Sequence, residues 1–405
     1  MAASTPTRNG PHRSFDLLSL GSFVVLGLPD GMLGTAWPAM RSSFGAQVGD
    51  LGWVLLATTA GTVAVATLVG SLIRRLGVPA LLAVATGVAA VGGTAYAVAP
   101  GLWLVLGLGP LMGAAAGMMD GGLNTAVALT GRRRLLNLLH GFYGIGTAAG
   151  PLLVIAAITA GSWRLAYLVL VAVDVTSALV WTAHARRFHA SGAEPTPSRS
   201  TQESDGAGPT RGWSRRRVVA VLSLGLIVFF VYTGLEVAAG QWLASFASGH
   251  LDLSHSAAGL AAFGYWGALT AVRIGLSIPS RPILPTRVIR WGGFGSLVAA
   301  GVIWWQPDPT VAIFGFVAMG ATLAGVFPAL VSVTALRIGE RRARHAIAWQ
   351  TGAAAAGGST IAALLGVLIN ATGLAVLGPA LTVLAVFLIV TISALGRLAP
   401  IHRRA

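Results

Sequence analysis

Four carboxylates, Asp30, Asp120, Asp174 and Glu236, sit inside apolar runs, each about twenty residues or longer, the length that crosses a bilayer. A charged group at the centre of such a run costs about 2.5–3.5 kcal/mol on insertion scales. Side chains kept against that penalty have a partner or a task. The task open to a carboxyl in the dry centre of a membrane is to take up and release a proton. Asp30 follows Pro29 and precedes Gly31. A proline inside a helix removes one donor and disturbs the carbonyl four residues back, so the acid stands where the helix is softened. It lies roughly 6 Å from the centre of its span at 1.5 Å per residue. A proton carrier and a structural acid capping a bent helix both fit that position.

Asp120 and Asn124 are four residues apart and share one helix face, with Gly113, Gly117 and Gly121 forming a neighbouring stripe that lets another helix approach. The pair reads as a proton-coupling acid with a substrate hydrogen-bonder, or as a polar tie between helices. Glu236, Gln241 and Trp242 share a later span. Carboxylate, amide and indole suit a polyhydroxylated ligand, with polar atoms for hydroxyls and ring faces for C–H surfaces. Trp37, Tyr265 and Trp266 are further candidates for such stacking, although tryptophans near span ends also serve as interfacial anchors. Arg273, inside a span, needs a carboxylate, a carbonyl cage or a route to the surface. Asp174 reads as a polar contact to a neighbouring helix. His140 reads as a proton relay or a hydrogen-bonded helix-end residue. No histidine cluster has metal-ligand spacing and no phosphate-cradling loop occurs, so neither a metal, a cofactor nor ATP-driven work is expected.

The elements that must position these groups are membrane helices. Of 405 residues, 55% are hydrophobic and 10% charged, and the apolar residues come in long runs. Twelve spans are expected, at about 15–37, 50–73, 78–99, 101–129, 138–160, 163–184, 218–246, 256–279, 288–306, 310–336, 346–369 and 372–396. Residues 1–14 form a polar, basic tail, and the first span has no cleavage site after a short core, as expected of a helix that stays. Cysteine is absent, which rules out disulfides and thiol chemistry. All 27 basic residues are arginine, and the net charge is +15. They cluster beside the spans rather than in a patch for nucleic acid. With the N-terminus placed inside, nearly all of them fall on the cytoplasmic side and only Arg41 and Arg164 outside. The stretch 185–217 is rich in Ser, Gly, Pro and Arg, lacks apolar periodicity and reads as a mobile, disordered cytoplasmic connector. It divides the chain into bundles at 15–184 and 218–396, followed by a tail at 397–405. Leu18-Ser19-Leu20-Gly21 and Leu222-Ser223-Leu224-Gly225 open the first and seventh spans, and at that offset Asp30 falls two residues from Glu236. Two parallel six-helix repeats are expected.

Gly70-Ser-Leu-Ile-Arg74-Arg75-Leu-Gly77, after the second span, resembles the G-x-x-x-D-R-x-G signature of the major facilitator superfamily, with Arg74 where the signature has Asp. Three further segments, Gly27-Leu-Pro29-Asp30-Gly31, Asp120-Gly-Gly-Leu-Asn124 with Arg134-Leu-Leu-Asn137-Leu-Leu-His140, and Gly325-Val-Phe327-Pro328-Ala-Leu-Val-Ser332, are similar to the fucose permease and glucose-transporter-like branch. That branch has Glu at the position of Asp120 and Gln at that of His140. The resemblance implies an all-α integral membrane protein with twelve helices in two six-helix bundles. It implies a proton-coupled symporter of a small, sugar-like solute, with Asp30 and Asp120 coupling protons; Glu236, placed opposite Asp30 by the repeat, is a further proton-coupling candidate. It also implies Asn124 as a substrate hydrogen-bonder and Gly70, Arg74, Arg75 and Gly77 as a gating loop; from their own chemistry Trp37, Gln241, Trp242 and Tyr265 are further substrate-binding candidates, and Pro29 and Arg273 further gating candidates. Sodium in place of the proton stays open. Gly146-Thr-Ala-Ala-Gly150-Pro151 resembles part of an antiporter signature, without its closing glycine pair, and keeps drug or metabolite efflux as the alternative. A monomer in the cell membrane, with both termini cytoplasmic and lipid as its surroundings, is expected.

Overall fold

The computed structural model describes residues 10–129, 133–190, 213–276, 278 and 283–400. The described residues are almost wholly helical and include no strand. The first half contains α1 (Gly10–Phe44), α2 (Leu51–Ala66), α3 (Val69–Leu76), α4 (Val78–Val98), α5 (Leu102–Leu129), α6 (Arg133–Thr159) and α7 (Arg164–Ala190). The second contains α8 (Arg215–Gly249), α9 (His255–Gly275), α10 (Pro285–Trp305), α11 (Pro309–Leu323), α12 (Val326–Ile338), α13 (Glu340–Thr372) and α14 (Leu377–Leu398). Two crossings are broken, the second into α2 and α3 and the tenth into α11 and α12, so the helices make twelve passes. Among the described residues, eleven segments are long and apolar enough to cross a membrane. The remaining pass, α9, carries His255, Tyr265, Trp266 and Arg273, which lower its hydropathy, yet it spans 21 residues and packs against α6, α8 and α11.

The helix ends follow local chemistry. Ser214 and Ser254 accept the backbone N–H groups of Arg217 and Ala257 at the starts of α8 and α9. Asp308 accepts from Thr310 and Val311, ahead of Pro309 at the first position of α11. Gly77 and Gly339 end α3 and α12 with φ of 74° and 80°, a conformation that glycine enters without a Cβ penalty. Several helices outrun their expected spans: α1 passes through Pro29 and Pro38 to Phe44, α7 reaches Ala190 and α8 begins at Arg215. Of the expected connector at 185–217, residues 191–212 lie outside the described residues, as do residues 1–9 of the first tail and 401–405 of the last.

The helix pairing is the same in both halves. In the first, α1 packs on α6, α2 on α5, and α4 on α7; in the second, α8 packs on α13, α9 on α11, and α10 on α14. Counted in passes, one meets five, two meets four and three meets six, then seven meets eleven, eight meets ten and nine meets twelve. This is the internal repeat expected from the sequence, seen in contacts. The α1–α6 seam shows how lipid-embedded helices close up: a Cβ on Gly31 would lie 1.9 Å from the Thr147 carbonyl, and one on Gly146 1.9 Å from that of Val24. The stripe on α5 works in the same way, with Gly113 against the Thr58 carbonyl of α2 and Gly117 against Val65. Outward-facing Phe314, Leu364, Val383 and Val298 are largely exposed, as bilayer-facing side chains are.

Candidate functional site

The midplane acids are held by tyrosines and by the boundary between the halves. Asp30, on α1, accepts a hydrogen bond from the Tyr143 hydroxyl of α6. The Asp30 backbone carbonyl accepts from the Gln241 side-chain amide of α8, at 2.8 Å. Gly34 makes that approach possible, because a Cβ there would meet Gln241 at 2.6–2.8 Å. Asp30 is deep in the molecule yet keeps an accessible side chain. Asp120 and His140 share this property. Accessible polar groups so far inside mark a water-reachable opening between the halves.

Across the boundary, Glu236 accepts from the Tyr232 hydroxyl one turn earlier on α8 and pairs with Arg273 of α9 at 3.5 Å. The Tyr265 hydroxyl donates to the Glu236 backbone carbonyl at 2.7 Å. The broken tenth pass joins this cluster. Pro328 has no N–H to offer the carbonyl four residues back, Ala324. Arg273 Nε donates to that carbonyl at 3.0 Å, and the adjacent Leu323 carbonyl lies 3.0 Å from the Tyr232 hydroxyl. A tyrosine hydroxyl has one hydrogen and here faces two acceptors, Glu236 and Leu323. A proton on Glu236 lets the carboxyl donate to the tyrosine while the tyrosine donates to Leu323, so one proton reverses a hydrogen bond. Tyr143 is within electrostatic reach of Glu236 and Arg273, and His140 of Asp120 and Arg273. Three bonded groups thus make up the polar network: Asp30 with Tyr143 and Gln241, Asp120 with Asn124, and Glu236 with Tyr232 and Arg273.

The remaining candidates fall into place unevenly. Asn124 Nδ2 donates to Asp120 Oδ1 at 2.8 Å, as their spacing allows, while Asn124 Oδ1 is buried with no hydrogen-bond partner among the described residues. Trp37, Trp242 and Tyr265 are fully buried. The two indole N–H groups donate to backbone carbonyls, of Val48 at 2.7 Å and Ala362 at 3.1 Å, so in this conformation neither offers a donor to a solute. Trp266 packs edge-on against Tyr265. Gly70, Arg74 and Arg75 lie on α3, and Gly77 ends it, so this loop sits away from the acids at the arginine-rich end. Asp174 is buried on α7 against helices rich in Ala, Gly and Leu, and the polar contact expected for it is not formed among the described residues. Arg164, one of the few arginines at the opposite end, donates to the Ala97 and Ala99 carbonyls at 2.9 and 2.7 Å, capping α4, and covers Trp163. The sequence reading missed Tyr143 and Tyr232. The available signal was spacing: Tyr232 stands four residues before Glu236, and Tyr143 three after His140, on shared helix faces.

At the arginine-poor end the halves are sealed. The Gly49 N–H donates to Asn370 Oδ1 at 2.7 Å, a Cβ on Gly49 would lie 2.0 Å from the Gly366 carbonyl, and one on Gly52 would lie 2.4 Å from Ala363. Toward the arginine-rich end, α3 packs on α4 and α5, and α12 on α8, α10, α11 and α13, each within its own half. The α6–α9 seam stays packed at both levels, through Gly144 on Thr270 and Gly259 on Ile155. The opening therefore faces the arginine-rich end.

A two-half bundle with a polar centre, sealed at one end, is the shape of an alternating-access protein. The family model described as Major Facilitator Superfamily matches residues 19–363. The chain belongs to the major facilitator superfamily. This superfamily member is a multi-pass membrane transporter and not an enzyme. The nucleoside transporter NupG is similar in fold, with 13% identity and a TM-score of 0.69 over 95% of this chain and 99% of that one. The D-xylose–proton symporter matches with 13% identity and a TM-score of 0.71 over 94% and 97%. The fucose:proton symporter of E. coli matches with 14% identity and a TM-score of 0.58 over 94% and 99%. Sodium-dependent glucose transporter 1A of Mus musculus is 34% identical over 116 residues, 28% of this chain and 27% of that relative's length.

Proposed function

We propose that this superfamily member is a proton-coupled symporter of a small, polar, sugar-like solute. One observation carries the reading: Asp30 and Glu236, from equivalent helices of the two halves, each take a tyrosine hydroxyl at the depth where Gln241 joins the halves. A carboxyl that gains or loses a proton there changes its bonds to the groups holding the boundary, which ties protonation to rocking. Asp120 and His140, on the accessible wall, provide a further exchange point. The fold neighbours described as nucleoside, xylose–proton and fucose:proton transporters, and the partial likeness to a sodium-dependent glucose transporter, support a polar, hydroxyl-bearing solute. The arginine-rich end is then cytoplasmic and the described conformation inward-facing.

The test has two stages. Purified protein is screened for thermal stabilisation by sugars, polyols and nucleosides, since binding raises the melting temperature whatever the direction of transport. Uptake of the best ligand into right-side-out vesicles is then measured under an inward proton gradient. Wild type is expected to accumulate solute, and Asp30→Asn to lose gradient-driven accumulation while still exchanging solute at equal concentrations. Accumulation driven by a sodium gradient alone, or gradient-driven release, would overturn the proposal.

A further inference from the structure

A second opening lies outside the polar network, between α4 and α7 at the arginine-rich end. Ala80, Ala83 and Val84 of α4 and Thr182, Ala185 and Arg186 of α7 line it, and its volume is about 550 Å³. That is within the range of roughly 300–1,000 Å³ found for small-ligand sites. Three of the six lining residues are alanines, so the groove exists where longer side chains would have filled the space between the helices. It opens on the bilayer face of the bundle: Val84 is 46% exposed, and Leu179, one turn from Thr182, is 67% exposed. Its polar equipment is one-sided. The Thr182 hydroxyl donates to the Ala178 carbonyl at 2.7 Å. Arg186 is exposed and makes no ion pair among the described residues. Among the described residues no carboxylate lines the groove, so none of them offers a partner to the amine of a zwitterionic headgroup. A guanidinium whose donors have no partner among the described residues matches a phosphate.

We propose that this groove binds an anionic phospholipid of the adjoining leaflet, with an acyl chain against Ala80, Ala83 and Ala185 and the phosphate on Arg186. Basic groups between membrane helices at this level attract anionic lipid. The proposal is independent of the transported solute.

Purified full-length protein in detergent is titrated with phosphatidylglycerol, phosphatidylcholine or inorganic phosphate, and bound lipid is counted by native mass spectrometry. Wild type is expected to retain phosphatidylglycerol in preference to phosphatidylcholine. Arg186→Gln should weaken phosphatidylglycerol about fivefold, the worth of one basic residue at an anionic surface, and leave phosphatidylcholine unchanged. Ala83→Phe, which fills the groove, should weaken both lipids. Arg290→Gln, on the same end but in the other half, should keep the wild-type preference. Equal retention of both lipids by wild type, an unchanged preference in Arg186→Gln, an equal loss in Arg290→Gln, or competition by inorganic phosphate as strong as by lipid would overturn the proposal.

Discussion

Tyr143 and Tyr232 give the midplane acids their hydrogen-bond partners, and that is where residue-scale consequences are sharpest. Tyr143→Phe keeps ring and volume but removes the donor to Asp30. A hydrogen bond to a charged group is worth about 1.5–3 kcal/mol, so initial uptake should fall tenfold or more with the protein still folded. Uptake in proteoliposomes beside a thermal melt separates the two effects. The acids themselves were legible because a carboxylate inside an apolar run stands out in any sequence, and Asn124 was legible from its spacing to Asp120. The tyrosines were not, because a tyrosine in an apolar run carries little penalty and draws no notice. Trp37 and Trp242 were noticed for their chemistry, yet both bury their rings and bond backbone carbonyls. Residue type shows what a side chain can do; which face it turns inward depends on packing that one span does not reveal.

At the scale of the element, small residues set the distances between helices. Gly146→Val would place its Cβ within the Val24 carbonyl of α1. Overpacking of this kind costs about 1–3 kcal/mol, and a carbonyl in place of a flexible side chain puts it at the upper end. A clear drop in melting temperature in detergent is the expected outcome, while Gly107→Ala, which meets open space, should melt like wild type. The same close contacts account for the glycines of the Gly146–Pro151 stretch as a packing seam. The number and order of passes were readable from apolar length and arginine placement. The break in the tenth pass was not, although Gly325 and Pro328 were in view. A proline inside a membrane helix either bends it or interrupts it, and the choice rests on who takes the freed carbonyls. Here Arg273 takes the carbonyl of Ala324 and the Tyr232 hydroxyl faces that of Leu323, both from other helices.

Across the whole molecule, the seal at the arginine-poor end is the feature that must open for a turnover. Asn370→Ala removes the side chain that receives the Gly49 N–H. Because the chain has no cysteine, one introduced at Ala363, inside that seal, would be the sole thiol. Its labelling by an impermeant reagent should be faster in the Asn370→Ala background, and faster still with bound solute if the halves rock as proposed. The α6–α9 seam leads to a different expectation. Contacts that persist from one end to the other leave those two helices little room to part, so under the proposed rocking they are expected to form the axle on which the bundles swing. Chemical stapling of α6 to α9 should leave a working machine, whereas the same staple across Gly49 and Gly366 should arrest it mid-cycle.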